Sequence, residues 1–105
     1  MASSKNYLNY ILESLSDLPD ISYRPMMGEY VLYYQGKVFG GIYDNRLLVK
    51  LVPSALSYLK NPIFDFPYEG AKQMILVDEL EDKVFLSGLI KAVFKDLPTV
   101  KEKKK

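Results

Sequence analysis

The chain has 105 residues, of which 49% are apolar and 13% aromatic, with a formal net charge of +1. That length suits one domain, which buries on the order of 60–65% of its unfolded surface, and the near-neutral balance excludes a highly charged disordered chain. Cysteine, histidine and tryptophan are absent, which excludes disulfide frameworks, Cys/His zinc sites, thiol nucleophiles and histidine general bases.

Ser3 or Ser4 can cap a helix running to about Asp17, because Tyr7, Leu8, Ile11, Leu12 and Leu15 recur at helical spacing and Pro19 follows. Ile21 to Arg24 reads as a short extended piece, since Pro25 biases Arg24 toward β geometry. Three runs of strand character come next: Glu29 to Gln35, Val38 to Tyr43 and Leu47 to Leu51. Gly36-Lys37 fits a type II′ turn between the first two, and Asp44-Asn45-Arg46 a turn between the second and third. Pro53 opens a second helix that ends at Asn61-Pro62. Phe64, Phe66 and Tyr68 alternate around Pro67, as in an edge strand or extended loop. Gln73 to Val77 is a buried strand. Asp78 to Asp82 precede a last helix with Phe85, Leu86, Leu89, Ile90, Val93 and Leu97 on its stripe, ended by Pro98. Gly88 weakens that helix by about 1 kcal/mol relative to Ala and suggests close packing.

The order α-β-β-β-α-(β)-β-α predicts an α+β fold: a two-layer sandwich with an antiparallel sheet of four to five strands. Residues 1–98 are expected to form one domain. The last five residues carry four lysines and one glutamate, and the body without them has 10 basic and 12 acidic residues. The basic excess is therefore a tail, and 99–105 is expected to be solvated and disordered. No signal-peptide pattern or membrane-length apolar run is present in the sequence, so a cytoplasmic location is expected by elimination.

A turn centred on Gly36-Lys37 places Tyr34 opposite Phe39, Leu32 opposite Gly41 and Tyr30 opposite Tyr43. One face then holds Tyr30, Leu32, Tyr34, Phe39, Tyr43, Leu48 and Lys50; the other holds the aliphatic residues and should meet the helices. A one-residue slip in the turn would exchange the faces. The aromatic face is either an inert surface stabilised by cross-strand pairs or a surface for a protein partner or a second copy of the chain. Tyr30, Tyr34, Phe39, Tyr43 and Lys50 are the candidate partner-binding residues.

Other motifs carry less. Asp78, Glu79, Glu81 and Asp82 read as a helix cap rather than a hard-cation site. Gly40-Gly41 lies inside a strand, which suits a bend or close packing and not a phosphate loop. The serines lack a nucleophile-elbow context. No catalytic residue, metal site or cofactor is indicated. Aromatic strands beside Arg24, Lys37 and Lys50 are compatible with stacking on nucleic acid, but the body is net acidic, so only weak contacts through the tail are expected.

The stretch Arg24-Pro25-Met26-Met27-Gly28-Glu29-Tyr30, then Tyr33-Tyr34-Gln35-Gly36-Lys37-Val38-Phe39, then Ile42-Tyr43-Asp44 and Leu47 to Lys50, resembles the N-terminal domain of TfoX/Sxy proteins. Pro67-Tyr68-Glu69, Met74 and the closing helix are also similar. The resemblance implies a two-layer fold like that of secretion chaperones and kinship with bacterial competence regulators, which carry a second, helical C-terminal domain not expected here. It implies structural roles for Arg24, Met27, Gly28, Gly36, Lys37 and Asp44 at turns and strand starts. The reading is a non-enzymatic protein-interaction domain that modulates transcription or competence-type regulation indirectly. The alternative is a nucleic-acid-binding module that uses the aromatic face and the basic tail.

Overall fold

The computed structural model describes residues 3–97. Ser4 has extended backbone, and its Oγ accepts the Tyr7 N–H at 3.0 Å, which starts helix α1 (Lys5–Ser14). Such a cap satisfies one of the amide groups that a first helical turn leaves without a partner. Leu8, Ile11 and Leu15 form the expected buried stripe. The helix ends at Ser14, short of Asp17, in tight turns that return Leu18 to the core.

Four strands follow as a continuous antiparallel meander: β1 (Ile21–Met26), β2 (Glu29–Tyr34), β3 (Lys37–Ile42) and β4 (Leu47–Val49). The first two connections are two-residue loops, and in the third Tyr43 and Arg46 exchange backbone hydrogen bonds at 3.0 Å around a two-residue centre; φ is positive at both central positions of each: Met27-Gly28 (51° and 88°), Gln35-Gly36 (53° and 82°) and Asp44-Asn45 (54° and 56°). Two positive φ angles mark the type I′ turn, whose twist matches that of the paired strands. The extended piece at Ile21 is thus a full strand, with Pro25 tolerated because β1 is an edge. The sheet has six strands rather than four to five.

The second turn corrects the expected register. Gly36 takes the second central position, so the loop is Gln35-Gly36 and Tyr34 pairs with Lys37. Tyr33 then pairs with Val38, but Leu32 pairs with Gly40, which leaves Phe39 as the extra residue of a β-bulge. The bulge inverts the alternation along β3. Tyr34 and the bulged Phe39 point to the helices, and beyond the bulge Ile42 does, with Leu47 and Val49 beside it on β4. Gly40 is required here, because a Cβ would collide with the Leu48 carbonyl oxygen and approach the Val49 Cα.

Helix α2 (Pro53–Tyr58) has Pro in its first turn, and β5 (Ile63–Asp65) and β6 (Met74–Val77) complete the sheet in the order β1-β2-β3-β4-β6-β5. Asp82 caps α3 (Lys83–Lys95) by accepting the Phe85 N–H at 3.1 Å. Leu86, Leu89, Ile90 and Val93 of α3 are buried against Leu32, Phe39 and Ile75 of the sheet and Leu8 and Ile11 of α1, forming one core. Helix α2 packs on α3, and Ser54 ties the two by donating its N–H to Asp96 at 2.9 Å. The expected stop at Pro98 and the 99–105 tail lie outside the described residues. No helix among the described residues is long and apolar enough to cross a membrane.

Candidate interaction site

Arg46 follows the Asp44-Asn45 turn and faces away from the helices. Its Nε donates to the Tyr43 carbonyl at 3.1 Å. Its Nη1 donates to the Asp65 carboxylate at 2.8 Å and the Phe66 carbonyl at 3.0 Å, and Nη2 donates to the Pro67 carbonyl at 3.2 Å. A planar guanidinium has the donors to hold several acceptors at once, which lysine cannot do in this geometry. The Asp65 carboxyl is held below its ordinary range, first by the Phe66 N–H at 2.8 Å and then by Arg46. Arg46 thereby staples the chain leaving β5 across the outer face of the sheet.

That staple fixes what the segment presents. Pro67 is buried, while Ile63, Phe64, Phe66 and Tyr68 are 43%, 45%, 46% and 59% exposed. The Tyr68 ring lies 6.1 Å from that of Tyr43 and covers it. Burial, then the neighbouring Tyr68 and Glu29, pushes the Tyr43 phenol above its usual range. β5 is also an edge strand, paired among the described residues with β6 alone, so its other side offers backbone donors and acceptors to an added strand.

The residues expected on an aromatic partner-binding face do not share one. Phe39 is fully buried and Tyr34 is 5% exposed. Tyr34 packs edge-on against Phe94 of α3 at 5.1 Å. Both belong to the core, because the turn and the bulge set the register as described. Tyr30 is half-buried on the helix side, with its ring 5.7 Å from Tyr23. Tyr43 lies under Tyr68, and Lys50 is half-buried on the outer face. A nucleic-acid platform built on Tyr34 and Phe39 loses its stacking surface for the same reason.

The motif residues sit as follows. Met27, Gly28 and Gly36 occupy turn positions with positive φ, and Asp44 does likewise, its N–H donating to Glu29 at 3.1 Å. Lys37 lies over the Phe94 ring at 4.4 Å and donates to the Leu97 carbonyl at 3.4 Å, an arrangement favourable at the negative end of α3. Arg24 lies 5.9 Å from the Tyr33 ring centroid on the outer face. The Arg46 staple escaped the sequence reading, because its residue type inside a turn gives no sign of its distant partners. The alternation of Phe64, Phe66 and Tyr68 was the available signal for the exposed segment. Also unforeseen was a polar knot in which the Ser3 hydroxyl bonds Glu29 and accepts the Asn45 N–H, joining the chain start to two turns.

The family model of the TfoX N-terminal domain matches residues 13–84, which takes in every strand of the sheet. The chain belongs to the TfoX N-terminal domain family. This TfoX-type domain is 30% identical over 105 residues to an uncharacterised 12.7 kDa protein in the trpE 5′ region of Spirochaeta aurantia, covering 99% of this chain and 91% of that protein. No solved structure matches it.

Proposed function

We propose that this TfoX-type domain is a non-enzymatic module that binds a protein partner and acts on gene regulation through it. Membership of the TfoX N-terminal domain family is consistent with a regulatory or competence-related role. The observation that carries the reading is a set of apolar side chains, Ile63, Phe64 and Phe66, each more than two-fifths exposed on or beside β5, whose outer edge is unpaired among the described residues. Free edges are ordinarily blunted, and one flanked by apolar side chains suits an added strand from another polypeptide, whose backbone supplies affinity and whose side chains supply specificity.

The test is affinity capture from native extract with the wild-type chain and a Phe64→Ser/Phe66→Ser variant, each checked by circular dichroism. The expected result is a protein enriched by the wild type and lost with the variant. Indistinguishable sets of captured proteins would overturn the reading. A nucleic-acid shift that persists after deletion of residues 101–105 would favour the alternative.

A further inference from the structure

An open cleft of about 480 Å³ lies between the outer face of the sheet and the segment that follows β5. Val38, Tyr43, Lys50, Tyr68, Lys72 and Met74 line it. Two cations and two phenols therefore border an otherwise largely apolar hollow, and no carboxylate does. A second cleft of similar size, beside α2 and the start of α3, is lined by Asp78, Glu79 and Asp82 against Lys60 alone. The contrast matters because the body as a whole carries more acidic than basic residues. Among the described residues, neither Lys50 nor Lys72 has a carboxylate partner within 4.0 Å.

Lys50 and Lys72 both line the hollow and no carboxylate does, so an anion placed there meets positive charge from two side chains with no acidic neighbour to oppose it. The apolar lining adds a demand of its own, since a small inorganic anion would leave Met74 and Val38 uncovered. We propose that the cleft binds an amphipathic carboxylate: a small molecule whose acidic group meets Lys50 and Lys72 and whose flat apolar body lies against Tyr68 and Met74. Arg46 positions this site by stapling the Phe66 and Pro67 carbonyls, which holds Tyr68 over Tyr43. The site is separate from the β5 edge and does not rest on the partner-binding reading.

The probes are 2-naphthoate and its neutral counterpart 2-naphthylmethanol, titrated into the full chain and followed by amide chemical shifts. Saturable shifts at Lys72, Gln73 and Met74 are expected with 2-naphthoate. Its affinity should exceed that of the alcohol about tenfold and fall about tenfold in Lys50→Met/Lys72→Met, which keeps the alkyl stems. Lys72→Met alone, at an exposed position, provides the same readout if the double variant is less stable. Equal binding of both probes, shifts confined to other regions, unchanged affinity in the variants, or no binding at millimolar 2-naphthoate would each overturn the proposal.

Discussion

The Tyr58 ring lies against the Cα of Gly88, so closely that a Cβ there would collide with the phenol oxygen. The same hydroxyl donates to the Phe85 carbonyl at 3.0 Å, so α2 is held on α3 by a contact that only glycine admits. Gly88→Ala gains about 1 kcal/mol of helix propensity but displaces Tyr58, and overpacking typically costs about 1–3 kcal/mol. Net destabilisation is expected in urea unfolding. In a Tyr58→Ala background the sign should reverse, and Gly88→Ala should stabilise by up to about 1 kcal/mol.

Phe39 and Phe66 offer a direct contrast between core and surface. Phe39 is fully buried and Phe66 is 46% exposed. Phe39→Ser should cost about 3–5 kcal/mol or unfold the chain, because it leaves a cavity and buries a hydroxyl. Phe66→Ser should cost less than about 1 kcal/mol. Equal losses in chemical denaturation would contradict a register that sends Phe39 to the core.

Met27 is 97% exposed and has a φ of 51°. Its side chain has almost no packing to lose, and its backbone sits where a non-glycine L-residue costs roughly 1 kcal/mol. Asn, which tolerates this region and suits the first position of a type I′ turn before Gly28, should raise stability by about 0.5–1 kcal/mol. Thermal unfolding of Met27→Asn checks this.

Asp65 and Asp96 both titrate below the ordinary 3.8, chiefly through backbone N–H donors from Phe66 and Ser54 respectively. A carboxylate with a lowered folded-state pKa favours folding above its unfolded value, and that contribution is lost as pH falls through the folded value. Stability should therefore decline below about pH 4, and Asp65→Asn/Asp96→Asn should show a shallower decline. Carbon-detected titration of Arg46→Met should show the Asp65 pKa raised but still depressed, because the Phe66 N–H remains.

Helix stripes, proline stops and turn residues made the element order readable from residues such as Leu8, Ile11, Pro53 and Asp82. The faces of the sheet were not readable, for two reasons that act in series. Gly36 suits the first central position of one hairpin turn and the second of another, and only tertiary packing chooses between them. Gly40-Gly41 signalled irregularity without stating that Phe39 would be the unpaired residue. The surface inherited both ambiguities: Tyr34 and Phe39 went to the core, and the exposed apolar side chains came from the segment Ile63 to Tyr68. Distant polar contacts such as Arg46 to Pro67 leave no local pattern to read.

The succession of two-residue turns also bears on how the chain is made. From Ile21 to Val49 each strand pairs with the one just before it, so little loop entropy opposes pairing and this part can form early on the ribosome. Its apolar side then waits for cover from Leu86 to Val93, residues translated roughly two to nine seconds later at about 5–20 residues per second. During that interval α1, already made, is available to the sheet, but the contacts of Leu32 and Phe39 with α3 are missing. Aggregation of the nascent chain should therefore depend on the pace of translation between β4 and α3.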